Sequence, residues 1–77
     1  MDFLAGMSVK TLTVLEFVAE AAGVDSRTLT IGTRFMDLPL DSLEFLELVK
    51  KVEDEYEIIV DVSDINTIAD LCAAVGC

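Results

Sequence analysis

The chain has 77 residues, of which 53% are apolar, so it can form one small domain with a modest core but no deep substrate pocket. Fifteen acidic residues against five basic ones give a formal net charge of −10, which disfavours nucleic acid and anionic membranes and favours basic protein surfaces as partners. The sequence contains no histidine and thus no Ser–His or Cys–His pair, so we expect no catalytic residues.

We expect a single domain over residues 1–77 that acts as a monomer, with 1–7 as a flexible N-terminus. An acid near the start stands where a secretory signal would carry Lys or Arg, and no apolar run approaches transmembrane length. These features predict a soluble, cytoplasmic protein without membrane insertion, and they leave open the earlier removal of a transit peptide. The spacing of Cys72 and Cys77 fits neither a zinc site nor a disulfide framework, so we expect reduced thiols and no metal.

The first predicted helix begins after Ser8, which can cap it, and runs to about Ala22, where Gly23 suits a left-handed helix end. Apolar spacing predicts that its buried face consists of Leu12, Leu15, Val18, Ala19 and Ala22. A long connection follows over residues 24–40, and we expect spaced apolar side chains to anchor it to the bundle. These anchors are Val24, Leu29, Phe35, Leu38 and Leu40.

A second helix is predicted from Asp41 and Ser42 to about Tyr56. Pro39 prevents an earlier start, Asp41 is a suitable N-cap, and Glu44 can complete a capping box. The apolar periodicity assigns to the inner face Leu43, Leu46, Val49, Val52 and Tyr56, widened by Phe45 and Leu48. The outer face is acidic and contains Glu44, Glu47, Glu53, Asp54 and Glu55, interrupted by Lys50 and Lys51.

The segment 58–60 is expected to be a packed loop, because no partner strand is predicted for it. Residues 61–65 suit one helical turn, and a last helix follows Asn66 or Thr67. Its core stripe is predicted to be Ile68, Leu71, Cys72 and Val75. The fold class is therefore all-α: an antiparallel bundle of three main helices plus a possible short fourth, with a long loop between helices 1 and 2.

The segment that carries chemistry is Phe35-Met-Asp-Leu-Pro-Leu-Asp-Ser-Leu-Glu-Phe-Leu-Glu-Leu-Val, centred on Asp41-Ser42-Leu43. Taken alone, these three residues are a weak signal, and Ser42 could simply start a helix. With the acidic chain, the spacing from Gly23, and the later segments 56–58 and 66–71, the pattern closely resembles the attachment-site signature of acyl carrier proteins. The resemblance extends from about residue 8 to residue 75.

The resemblance implies that Ser42 carries a covalent 4'-phosphopantetheine arm, which a separate phosphopantetheinyl transferase moves from coenzyme A. Asp41 and Leu43 are the flanking motif residues. The protein would have no catalytic activity and would deliver acyl thioesters to loading, synthase and transferase enzymes of fatty acid, lipid or polyketide-type biosynthesis. Apolar acyl chains would lie in a cleft lined by Leu46, Val49, Ile59 and Ile68.

The family also presents carboxylates to basic patches on partner enzymes, at the positions of Asp41, Glu44, Glu47, Glu53 and Asp54. The competing interpretation is a solvated face that only maintains solubility. The sequence departs from the family pattern at Pro39 in place of a glycine, at Lys50 in place of an apolar contact residue, and in a short segment after Tyr56. These departures favour a specialised stand-alone carrier over the general fatty acid synthase carrier.

Two alternatives remain open from the sequence. One is an aminoacyl or peptidyl carrier of the same fold, which is disfavoured by the strong acidity and by the Asp-Ser-Leu motif. The other is an acidic helical adaptor that carries no prosthetic group.

Overall fold

The computed structural model describes residues 9–76. Three α-helices dominate this part of the chain: α1 over Val9–Ala22, α2 over Ser42–Tyr56 and α3 over Ile68–Val75. Short 3₁₀ turns lie between them at Ser26–Thr28, Phe35–Asp37 and Val62–Asp64. The described residues contain no strand, which confirms the all-α class, and the possible fourth helix is a single 3₁₀ turn. Within this range no helix is long and apolar enough to cross a membrane.

Helix α1 ends as its sequence predicts. Gly23 has a φ of +70°, and the N–H of Val24 donates to the carbonyl oxygen of Ala19 at 3.0 Å, which closes the last turn. The buried side is Val14, Leu15, Val18, Ala19 and Ala22. Val14 was missed by the sequence pattern, and Leu12, predicted to be buried, is only partly covered. The predicted cap Ser8 and the segment 1–7 lie outside the described residues.

The core is built around α1, which contacts both of the other helices. The largest fully buried side chains of the core come from all three helices and are Val14, Val18, Val52, Ile68 and Leu71. The predicted stripe of α3 is buried at all of its positions, including Cys72. The predicted anchors of the 24–40 connection are also confirmed, because Leu29 and Phe35 are buried and the other three pack against the core.

The predicted inner face of α2 is wrong at two positions. Leu43 is 64% exposed and Leu46 is 50% exposed, whereas Leu48, Val49 and Val52 are buried. Phe45 and Tyr56 complete the buried side by packing against the core. The residues 45, 48, 49, 52 and 56 have the same helical spacing as the predicted set, so periodicity alone could not choose between two overlapping stripes.

The loop after α2 is fixed by Glu53. Glu57 adopts the left-handed conformation at the end of the helix, and the N–H of Ile58 donates to the Glu53 carbonyl oxygen at 3.1 Å. The N–H of Val60 then donates to Oε2 of the Glu53 side chain at 2.8 Å. The predicted packed loop is confirmed for Ile58 and Val60, while Ile59 between them is 96% exposed.

The 24–40 connection is joined to the start of α3 by backbone hydrogen bonds. The N–H of Phe35 donates to the carbonyl oxygen of Asn66, and the N–H of Ile68 donates to that of Thr33, both at 3.0 Å. A third bond runs from Ala69 N–H to the Ile31 oxygen at 2.6 Å. The bonds from Ile68 and Ala69 satisfy N–H donors at the N-terminus of α3 that have no partner within the helix.

The rotated face of α2 predicts different costs for two leucine truncations. Leu48 is 2% exposed, so Leu48→Ala leaves a cavity and should lower the free energy of unfolding by about 2–5 kcal/mol. The matched control Leu43→Ala removes the same side chain from the exposed side of the same helix and should change it by less than about 0.5 kcal/mol. Urea unfolding followed by circular dichroism measures both. Equal losses would mean that Leu43 belongs to the core.

Candidate functional site

Ser42 is the first residue of α2, and it is exposed. The chain reaches it in an extended conformation, with Leu38 at φ −97° and ψ 154°. Pro39 imposes this on Leu38, because its ring disfavours helical geometry in the preceding residue. As predicted, α2 does not extend back to Pro39 but begins at Ser42. Among the described residues, no hydrogen bond uses the Ser42 hydroxyl.

The start of α2 is held by the predicted capping box. Oδ1 of Asp41 accepts the N–H of Glu44 at 2.7 Å, and Oε1 of Glu44 accepts the N–H of Asp41 at 3.0 Å. The N–H of Phe45 donates to the carbonyl oxygen of Asp41 at 3.0 Å, which is the first helical bond. Such a cap contributes about 1 kcal/mol. It fixes the position of Ser42 and leaves the N–H groups of Ser42 and Leu43 directed toward the space outside the helix end.

A groove of about 420 Å³ opens beside Ser42, between the 35–37 turn, the start of α2 and the residues just before α3. Its walls are mainly apolar and are formed by Phe35, Met36, Leu40, Phe45 and Ile65. The rings of Phe35 and Phe45 lie 5.1 Å apart between centroids. Arg34 and Asn66 supply polar side chains at the rim, together with Asp41.

The predicted acyl cleft is not found at this groove. Of its four residues, none lines the groove beside Ser42. Val49 and Ile68 are core residues, while Leu46 and Ile59 are exposed. The apolar walls that the structure places next to Ser42 come instead from the 24–40 connection, from Phe45 of α2 and from Ile65. The connection and Ile65 are brought together by the backbone pairing between the 24–40 connection and the start of α3. Sequence spacing gave no signal for this arrangement.

The five carboxylates predicted to face partners divide into two groups along α2. One group is exposed and lies at the start of the helix: Asp41 is the N-cap, and Glu44 and Glu47 lie in the first two turns. Asp54, at the other end, has Oδ1 3.9 Å from Nζ of Lys50. Glu53 is half-buried, and its carboxylate is occupied by the N–H of Val60.

All five basic residues of the chain are engaged with other groups. Nζ of Lys51 lies 2.6 Å from Glu20, and Nζ of Lys10 donates to the carbonyl oxygen of Val75 at 3.2 Å. The other ion pairs are Arg27–Asp25, Arg34–Asp37 and Lys50–Asp54. Within residues 9–76, therefore, no ion pair neutralises Asp41, Glu44 or Glu47, and the surface around Ser42 is negative.

The sequence pattern missed an exposed apolar component at this surface. Leu43 and Leu46 project on the outer side of α2, among the acidic residues, and Met36 is exposed on the groove wall. A signal was present in the sequence, because residues 43, 46, 47, 50 and 54 also follow helical spacing. That series joins the two leucines to charged residues that must face solvent.

The rim residue Asn66 is positioned by the start of α3. Oδ2 of Asp70 accepts the N–H groups of Asn66 at 2.9 Å and of Thr67 at 3.0 Å, while Thr67 Oγ1 accepts the N–H of Asp70 at 3.2 Å. The two backbone donors hold the pKa of the Asp70 carboxyl below its usual range. No group of three or more potential metal ligands occurs in the described part of the chain.

Comparison with known proteins identifies the family. The family model of the phosphopantetheine attachment site matches residues 13–75. The chain therefore belongs to the family of phosphopantetheine-bearing carrier domains. Its cofactor is a covalently attached 4'-phosphopantetheine group, and an exposed, uncommitted serine hydroxyl beside a groove fits that group.

Curated relatives are acyl carrier proteins, which confirms the resemblance found in the sequence. Those of Streptococcus thermophilus and Streptococcus pneumoniae are each 33% identical over 63 residues, covering 80% of this chain and 85% of theirs. The acyl carrier protein of Lactococcus lactis subsp. cremoris is 32% identical over 59 residues, covering 75% of this chain and 81% of its own. No solved structure matches significantly.

The hydrogen bonds to Asp70 predict a dependence of stability on acid. The folded carboxyl has a lowered pKa, whereas the unfolded one returns to about 3.8, so the unfolded chain binds more protons in this range. The stabilisation is present above pH 3.8 and is lost as the pH falls through the folded value. We therefore expect Asp70→Asn to destabilise the protein near neutral pH, with a difference from wild type that shrinks in acid.

Urea unfolding at a series of pH values measures this difference. The control is Asp64→Asn, because the Asp64 side chain accepts no hydrogen bond among the described residues. A gap between wild type and Asp70→Asn that stays constant down to acidic pH would contradict the proposed role of the carboxylate.

Proposed function

We propose that this protein carries acyl groups as thioesters on a 4'-phosphopantetheine arm attached to Ser42. It delivers them to partner enzymes of fatty acid, lipid or polyketide-type biosynthesis. The observation that carries the proposal is the exposed hydroxyl at the first position of a capped helix, inside the region that matches the phosphopantetheine attachment family. The names of the curated relatives favour acyl over aminoacyl cargo.

Attachment requires a second protein, a phosphopantetheinyl transferase. The Ser42 oxygen forms a bond to the phosphorus of the pantetheine-bearing phosphate of coenzyme A, the pyrophosphate P–O bond breaks, and 3',5'-adenosine bisphosphate leaves. The hydroxyl proton goes to a base on the transferase, because this chain has no histidine and the nearby carboxylates of Asp41 and Glu44 accept backbone N–H groups. The carrier itself is then not an enzyme, and the attached thiol supplies the thioester chemistry.

The docking face that we propose combines charge with apolar contact. Asp41, Glu44 and Glu47 form an acidic cluster next to Ser42 that has no ion pair within residues 9–76, and Leu43 and Leu46 are exposed within it. The charges steer a basic partner surface and raise the association rate, while the small apolar area limits affinity. A carrier that must leave each enzyme quickly benefits from this combination.

Glu53 and Asp54 contribute less to this face in our proposal. The Glu53 carboxylate holds the following loop through Val60, and Asp54 lies near the exposed Lys50. Lys50 places a positive charge on the outer side of α2, which a partner surface of purely basic character does not match. We therefore favour a dedicated carrier with its own set of enzymes over a general fatty acid synthase carrier. We also propose that the protein acts in the cytoplasm and as a monomer.

Intact mass spectrometry tests the attachment. Incubation with coenzyme A, Mg²⁺ and a broad-specificity phosphopantetheinyl transferase should add the mass of one phosphopantetheine group to wild type and none to Ser42→Ala. The control Ser63→Ala should gain the same mass as wild type, because Ser63 is exposed but belongs to the 62–64 turn and not to the start of α2. A wild-type chain that gains no mass would be an adaptor without the cofactor, and a gain retained by Ser42→Ala would place the arm elsewhere.

The docking face predicts a charge effect on loading. Glu47→Lys should lower kcat/KM for transfer from coenzyme A, mainly through the association rate, and the loss should diminish at high salt. The control Glu16→Lys makes the same charge change on the exposed side of α1 and should leave kcat/KM close to wild type. Transfer rates at several salt concentrations check both. Equal losses of kcat/KM for the two variants would mean that the net charge of the protein, and not the position of Glu47, causes the effect.

A further inference from the structure

One basic side chain lies at the rim of the groove beside Ser42. Arg34 lines this groove together with Asn66, and no other basic residue of the described chain does so. The nearby acidic residues repel an anion bound here, because Asp41 belongs to the same rim and Glu44 lies in the first turn of α2. A phosphodiester on Ser42 would therefore meet both repulsive carboxylates and one cation.

The backbone of Arg34 is firmly placed. It is extended, with φ −89° and ψ 139°, and it forms an isolated antiparallel bridge with Thr67. The next residue, Phe35, donates its N–H to the carbonyl oxygen of Asn66 at 3.0 Å. The side chain of Arg34 thus starts from a fixed point between the 35–37 turn and the N-terminus of α3.

The guanidinium of Arg34, in contrast, is loosely held. Among the residues that the structure describes, the guanidinium has one polar contact, from Nε to Oδ2 of Asp37 at 3.4 Å, and the side chain is 61% exposed. Arg27 shows a tighter pairing, because Nε and Nη2 both reach the Asp25 carboxylate, the latter at 2.7 Å. An exposed pair with one long contact contributes little, so Arg34 can exchange it for a better anion at small cost.

A phosphodiester is such an anion. Guanidinium groups bind phosphate oxygens through two parallel N–H donors, a geometry that the single contact with Asp37 does not use. We infer that Arg34, with the side-chain amide of Asn66, binds the phosphodiester of the phosphopantetheine arm and holds the first part of the arm in the groove. The branched hydrocarbon next to the phosphate would then contact the apolar wall formed by Met36, Leu40 and Ile65.

This inference rests on the proposed attachment at Ser42 and adds a positioning role to it. The positive charge of Arg34 offsets the repulsion between the phosphodiester and the nearby carboxylates. Because Arg34 holds the phosphodiester on one side of Ser42, the arm extends from the protein in a preferred direction.

Nuclear magnetic resonance of the loaded protein tests the role of Arg34 without any activity assay. Samples are first checked by intact mass. The Nε–H resonance of Arg34 should shift between the apo and loaded forms, and that of Arg27 should not. The ³¹P shift of the loaded wild type should differ from that of the same protein unfolded in urea. Arg34→Gln should lose most of that difference, Arg34→Lys should keep part of it, and the control Arg27→Gln should keep all of it.

The outcomes separate the two proposals. A wild type that gains no mass overturns the attachment and this inference together. A normal mass gain with an unchanged Arg34 Nε–H resonance and a ³¹P shift insensitive to Arg34→Gln overturns the inference alone. If Arg34→Gln unfolds, two other measurements still test the inference. They are the ³¹P shift of Arg34→Lys and the Nε–H shift of wild type on loading.

Discussion

The site depends on the backbone pairing that joins the 24–40 connection to the start of α3. Through it, the N–H of Phe35 reaches Asn66 and the N–H of Ile68 reaches Thr33. Each bond satisfies a group that would otherwise lack a partner at a turn or a helix end, and together they bring two segments distant in sequence to the same side of Ser42. The capping box of Asp41 and Glu44 then fixes the position at which α2 begins. Without the pairing, the groove would lose the side formed by Ile65 and Asn66.

Helix α2 serves two surfaces at once. Its inner side supplies Leu48, Val49 and Val52 to the core, and its outer side exposes two leucines among acids. In the proposed function, these two leucines and the neighbouring acids form the surface that contacts partner enzymes transiently. The stability of the helix comes from its cap and its buried stripe, which leaves the outer side free for recognition.

The proposed negative docking face creates an electrostatic conflict, because the prosthetic group is also anionic at its point of attachment. Most of the chain's few cations are used elsewhere: Lys51 links α2 to Glu20 of α1, and Lys10 reaches the end of α3. Arg34 is the cation that remains next to Ser42 with a weak pairing. Its placement by the bridge to Thr67 connects the electrostatics of the site to the same pairing that builds the groove.

The helix boundaries, the capping box, the turn at Gly23 and the stripe of α3 could be predicted from the sequence, because each depends on local chemistry. The family could be predicted as well, because its pattern extends over most of the chain. Tertiary structure decided which stripe of α2 is buried, that Val14 is central to the core, that Glu53 holds a loop, and which side chains surround Ser42. Periodicity gives the spacing of apolar residues along a helix but not the direction of the neighbouring elements. That direction is set by contacts between segments far apart in the chain, and a local sequence pattern does not predict such contacts.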